Sequence, residues 1–271
     1  MTKFHFISGL PRSGSTLLAG ILRQNPAFHA GMSSPVAPMM NSLLEQTGAS
    51  SEYYSFFDAV KRKAIIHAMC NAYYSDVSSK QVVFDTNRMW TARLHQLIEL
   101  FPDFKMICCV RNPAWIADSF ELIYRRHAFD YSRMFNPNQR ATVYSRCETL
   151  MATNGAIGHA LTSLKEAYYS EFSSRLLLLD YDLLAQFPER CMTLLYQFLE
   201  EKEYKHDFKI VKYNESEFDK QLGIDGLHEV QEKVEFKPRR SILPPDLFDK
   251  YKELAFWTDK KGTAANIIGQ T

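Results

Sequence analysis

Apolar residues recur along this chain at two spacings. Short continuous apolar runs alternate with longer stretches in which apolar residues return every three or four positions. Residues 4–8, 81–84, 105–110 and 175–180 form the short runs and read as strands. The longer pattern predicts helices at about 15–24, 38–47, 56–74, 91–100, 113–126, 140–170, 188–199 and 246–257. Asn25-Pro26 closes the first of these, and Pro113 sits where the first turn of a helix accepts proline. The stretch 27–37, with its Gly, Ser and Pro residues, reads as a loop. Residues 105–110 are apolar without alternation, as in a strand buried on both faces. Strands separated by helices predict an α/β fold with a central parallel sheet and helices on both faces. No repeat, low-complexity tract or linker divides residues 1–271, so a single domain is expected.

Composition narrows the function classes. With 46% hydrophobic residues a chain of 271 can bury a sizeable core. The formal net charge of +1 gives no global attraction to nucleic acid or to an acidic membrane. Five cysteines, an odd number without framework spacing, read as reduced core thiols of a cytoplasmic protein. No run approaches the ~18–20 apolar residues of a membrane span, and the N-terminus carries no signal-peptide pattern.

The chemistry concentrates at the strand ends, where parallel sheets bind ligands. After the first strand comes Gly9-Leu10-Pro11-Arg12-Ser13-Gly14-Ser15-Thr16, with the spacing of a phosphate-binding P-loop. Ser15 stands where such a loop normally carries lysine. Loop N–H groups and the following helix N-terminus can still cradle an anion, and Arg12 is the cation at hand. A P-loop-type three-layer fold is therefore expected, but not the usual nucleoside triphosphate. After the third strand, Arg111 is followed eight residues later by Ser119. A guanidinium at a strand end with a nearby hydroxyl suits a second phosphate.

The two motifs together resemble the sulfotransferases that use 3′-phosphoadenosine 5′-phosphosulfate (PAPS), most of all the small bacterial sulfotransferases related to the tyrosylprotein branch. The resemblance implies that Pro11, Arg12, Ser13, Gly14, Ser15 and Thr16 bind the 5′-phosphosulfate, and that Arg111 and Ser119 bind the 3′-phosphate. Lys237-Pro238 is similar to a segment that closes over the nucleotide in the tyrosylprotein branch, which implies a nucleotide contact for Lys237. Residues 178–184, Gly226-Leu227-His228 and Pro244-Pro245-Asp246-Leu247 extend the likeness over most of the chain. Two positions depart from the tyrosylprotein pattern. Ser33 stands where a glutamate base is expected, and Asp85-Thr86-Asn87-Arg88 lacks the lysine expected after the second strand.

The expected reaction is sulfuryl transfer to a hydroxyl or nitrogen of a small-molecule, natural-product-like acceptor, with adenosine 3′,5′-bisphosphate as second product and no metal. Arg12 would stabilise charge on the leaving phosphate. Two residues are candidate bases. Asp85 follows the second strand, although it could instead cap the next helix or pair with Arg88; His228 could arrive on a closing loop. Met32, Met39, Met40, Tyr53, Tyr54, Phe56 and Phe57 are either core or an acceptor-pocket wall. A P-loop kinase and a non-catalytic nucleotide-binding protein are the alternatives. The first lacks its loop lysine. The second leaves two phosphate motifs without a task.

Overall fold

In the computed structural model, residues 3–77, 79–127, 129, 134–211 and 233–269 are described. Among them are six strands: β1 (Lys3–Gly9), β2 (Phe28–Ala30), β3 (Val82–Thr86), β4 (Met106–Val110), β5 (Leu176–Asp180) and β6 (Asn266–Ile268). They form one parallel sheet in the order β2-β3-β1-β4-β5-β6. The strand order reverses direction at β1, so a crevice opens between the carboxyl ends of β1 and its neighbours.

Side-chain alternation sorts the core into two layers. Phe4, Phe6, Val83, Met106, Cys108, Val110, Leu176 and Leu178 face one side. That side is covered by α2 (Val36–Thr47), α3 (Ala59–Tyr73), α4 (Leu94–Leu100), α5 (Pro113–Arg126), α6 (Val143–Met151) and α7 (Gly158–Tyr169). Ile7, Val82, Phe84, Ile107, Cys109, Leu177 and Leu179 face the other, under α1 (Ser15–Leu22), α8 (Tyr181–Gln186) and α9 (Pro188–Leu199). Helix α10 (Pro245–Lys252) returns to pack on the first layer. The three-layer α/β expectation therefore holds, and β4 is buried on both faces as its unbroken apolar run implies. All five cysteines are buried and free.

Several element boundaries differ from the sequence pattern. The predicted loop 27–37 contains β2, because Phe28 and Ala30 bury against β3 while His29 stays half-buried. The single helix expected at 140–170 is two. Gly155 and Gly158 bring the chain so close to the end of α6 that a Cβ would lie 2.1 Å from Thr149 O and 2.1 Å from Ala152 O, respectively. The segment Arg88–Arg93 is a 3₁₀ turn ahead of α4 rather than part of one helix. Strand β6 and helix α8 lie in stretches whose apolar runs are too short to distinguish from loop.

Candidate active site

The P-loop joins β1 to α1. Leu10 N donates to Cys109 O at 2.9 Å and ties the start of the loop to β4. Gly9 has φ of 103°, and a Cβ there would lie 2.2 Å from Cys109 O, so glycine alone fits this approach. Arg12 is held at φ of 56°, in the left-handed region that a side-chain-bearing residue enters at a cost of roughly 1–2 kcal/mol. Ser13 Oγ donates to Pro11 O at 3.2 Å and closes the turn. Gly14, with φ of 86°, precedes α1, whose N-terminus has no side-chain cap and no acidic residue in its first turn. The uncapped N–H groups and the positive end of the helix dipole remain for an anion.

Arg12 does not point away from the second motif. Its Nε donates to Ser119 Oγ at 3.2 Å. Ser119 lies on α5, which begins at Pro113 under an Asn112 cap whose Oδ1 accepts from Ala114 N at 3.0 Å. The structure thus brings the loop cation and the hydroxyl assigned to the 3′-phosphate into direct contact. Arg111 stacks on the Tyr181 ring, 4.5 Å from its centroid. Its Nε lies 3.4 Å from Asp182 Oδ1, a Coulombic contact whose geometry is not that of a hydrogen bond. Arg111 thus makes no hydrogen bond through its Nε among the described residues, while its ring contact holds the guanidinium plane.

Tyr181 and Asp182, which sequence reasoning passed over as a turn after the strand, lie against Arg111. Tyr181 also lies over the P-loop: a Cβ at Gly14 would sit 2.5 Å from Tyr181 Cδ2. Asp118 is the other omission. It is fully buried beside Ser119, its Oδ1 accepts from Ser241 Oγ and Ile242 N, each at 2.7 Å, and it ion-pairs with Arg239. Arg239 stacks on Trp115 at 4.9 Å. The segment after Lys237-Pro238 is thereby moored to α5 one residue from Ser119; the basic run Arg239-Arg240 was its sequence signal. Lys237 itself is exposed.

Asp85 lies in β3, 1% exposed, and its carboxylate accepts from Ser34 Oγ, Tyr74 Oη and Trp90 Nε1, each at 2.7 Å. Burial raises its pKa, opposed by those three hydrogen bonds. As placed, the carboxylate is turned onto three donors of its own chain rather than open to an acceptor. It neither caps the next helix, which Asn87 does, nor pairs with Arg88. His228 lies outside the described residues. Of the methionine and aromatic group, Met32 and Met40 are buried core, while Met39, Tyr53, Tyr54 and Phe56 are exposed. Among the described residues no His, Cys, Asp or Glu cluster could hold a metal ion, and no helix is long and apolar enough to cross a membrane.

Residues 5–205 match the model of the sulfotransferase family. The chain belongs to that family. It is 30% identical over 132 residues to the nodulation protein NoeE of Sinorhizobium fredii (strain NBRC 101917 / NGR234), a match covering 43% of this chain and 30% of NoeE. The chain thus matches less than a third of the length of that curated relative. Among solved structures, the sulfotransferase domain of the Synechococcus PCC 7002 olefin synthase aligns with TM-score 0.52 at 18% identity, over 95% of this chain and 96% of that one. The sulfotransferase domain of the curacin biosynthetic pathway aligns with TM-score 0.55 at 17% identity, over 94% and 92%. These two share the sulfotransferase fold.

Proposed function

We propose that this chain moves the sulfuryl group of PAPS to a hydroxyl or nitrogen of a small-molecule, natural-product-like acceptor by in-line displacement. The observation that carries the donor assignment is the contact of Arg12 with Ser119. It makes one continuous anion site out of the P-loop and the α5 motif, suited to a nucleotide phosphorylated at two positions. The left-handed Arg12, the uncapped α1 N-terminus, and Arg111 without a hydrogen-bonding partner among the described residues all fit such a ligand. Ser15 and Thr16 add hydroxyl donors at the helix start. Lys237 is proposed to reach the nucleotide from its moored segment.

In the transfer, a bond forms from the acceptor oxygen or nitrogen to sulfur as the bond from sulfur to the 5′-phosphate oxygen breaks. The electron pair stays on that oxygen, and adenosine 3′,5′-bisphosphate leaves. Arg12 and the loop N–H groups stabilise the negative charge gathering there. Sulfuryl transfer, like phosphoryl transfer, asks mainly for positioning and charge stabilisation. The acceptor proton passes to a base. Asp85 is assigned a positioning role, since its oxygens are engaged by Ser34, Tyr74 and Trp90. His228 remains the proposed base on chemistry alone, an imidazole having an ordinary pKa near 6.5. The acceptor class is proposed by analogy with the olefin synthase and curacin pathway domains.

Thermal unfolding with ligands tests the donor assignment. Adenosine 3′,5′-bisphosphate in hundredfold excess over its Kd should stabilise the protein by about 2.7 kcal/mol without magnesium. Stabilisation by ATP–Mg²⁺ and none by the bisphosphate would favour a kinase instead.

A further inference from the structure

Strands β4 and β5 run side by side, with Val110 beside Asp180. Arg111 and the Tyr181-Asp182 pair follow directly and leave the sheet together at its carboxyl edge. Tyr181 touches two parts of the site. Its ring carries the Arg111 guanidinium, with 4.5 Å to the centroid, and the same ring closes over Gly14 of the P-loop. Asp182 adds a carboxylate to this group. Its Oδ1 lies 3.4 Å from Arg111 Nε, and both atoms are buried without a hydrogen bond among the described residues.

A carboxylate that orients an arginine does so through aligned N–H···O bonds, as Glu121 does with Arg146. The Asp182 contact lacks that alignment, and the Tyr181 ring already holds the guanidinium plane. Nor does α8 depend on Asp182 for its start, because Asp180 Oδ1 accepts from Leu183 N at 3.0 Å and caps it. What Asp182 supplies is charge. It balances the Arg111 cation, and it stands beside any anion that Arg111 takes. Like charges at that range repel, and with both side chains mostly buried salt screens them little.

We propose that Asp182 sets the selectivity of the donor site by holding down its preference for a 3′-phosphorylated nucleotide. A phosphate on Arg111 competes with the Asp182 carboxylate for the guanidinium and is repelled by it. Asp182 meets the site at Arg111, so its effect falls on a nucleotide's 3′-phosphate more than on its 5′-phosphate. The inference rests on the assignment of Arg111 to the 3′-phosphate under the donor reading above. It differs from a supporting role for Asp182 in sign: removing a support weakens the nucleotide, whereas removing a competitor tightens it.

The test is calorimetric titration of the full chain and its variants with adenosine 3′,5′-bisphosphate and with AMP. Asp182→Asn keeps the shape of the side chain and removes its charge. It should bind the bisphosphate about fivefold or more tighter than the native protein does, the scale of a like charge removed beside a bound anion. AMP affinity should change by less than about twofold. Asp182→Ser, a second neutral variant, should shift the bisphosphate the same way. Asp182→Glu keeps the charge and should stay within about twofold of native. Unchanged or weaker bisphosphate binding in either neutral variant overturns the proposal and makes Asp182 a support for Arg111. An equal gain for AMP overturns it too, as does a gain in Asp182→Glu that matches Asp182→Asn. Equal binding of the two nucleotides by the native protein is a separate result, read before any variant is made: it counts against the donor reading itself and removes the anion on which this proposal depends.

Discussion

Arg12 carries a backbone strain that its neighbours Gly9 and Gly14 avoid by being glycine. A residue held this way in a loop whose lysine is missing is expected to act through its charge. Arg12→Ala should lower turnover by about 3 kcal/mol, roughly a hundredfold or more, by analogy with loss of an oxyanion donor. Single-turnover rates in a folded variant decide this; a native rate removes Arg12 from the mechanism. Gly14 is constrained twice, by its φ of 86° and by Tyr181 Cδ2, which would stand 2.5 Å from any Cβ at this position. Gly14→Ala should therefore displace Tyr181 and weaken bisphosphate binding, while Ser15→Ala, free of both constraints, should do so less. The loop and the Arg111–Ser119 pair were legible as candidates because each is a short run of residues close together in sequence. Tyr181, Asp182 and Asp118 were not, because their roles arise only when β5, α5 and the moored C-terminal segment meet in space. Asp85 was legible as a polar residue at a strand end but not as the acceptor of three distant donors. Asp85→Ala would strand the buried Trp90 N–H and should cost about 1–3 kcal/mol in urea unfolding. A change below a few tenths would show that those hydrogen bonds contribute little.

At the scale of elements, α5 does most to relate the two halves of the site. Its start is set by Asn112 and Pro113, and its middle presents Ser119 to Arg12. On the buried side Glu121 receives Arg146 through two bonds, Nε to Oε2 and Nη2 to Oε1, each of 2.8 Å, which lock α6 to α5. Removing one partner of such a buried pair typically costs about 3–5 kcal/mol. Glu121→Ala should destabilise on that scale, measured by denaturant midpoint at constant slope, with nucleotide contacts left in place. A loss under about 1 kcal/mol would show the pair to be replaceable. Helix α5 itself was legible from its apolar spacing and its N-terminal proline. The break between α6 and α7 was not, because apolar periodicity continues through Asn154-Gly155, whereas the chain there turns on close backbone packing.

For the whole molecule, alternation of strands and helices was enough to predict a parallel three-layer sheet. It did not give the order β2-β3-β1-β4-β5-β6, which depends on crossovers between distant segments. Folding also fixes how stability responds to acid. His206 is buried with its Nε2 at 3.0 Å from Tyr196 Oη, and burial lowers its pKa to about 4. His5 in β1 is lowered by burial to about 3, with Lys3 and Lys105 adding repulsion. Both take up protons more readily when unfolded, near pH 6.5. Their stabilisation is complete above that pH and is lost as pH falls toward 4 for His206 and 3 for His5. Each should contribute about 2 kcal/mol of lost stability by pH 5. Urea unfolding of the native protein and of His206→Gln at pH 7 and pH 5 isolates the His206 share, which a parallel pH dependence in the two proteins would refute.

The most direct measurement is calorimetric titration of the protein with adenosine 3′,5′-bisphosphate and with AMP. If Arg111 and Ser119 hold a 3′-phosphate, the bisphosphate should bind at least about tenfold tighter, from a charge-assisted contact of about 1.5–3 kcal/mol. Arg111→Ala should bring the two affinities together by weakening only the bisphosphate. Equal affinity of the native protein for both nucleotides would contradict the donor site described for this chain.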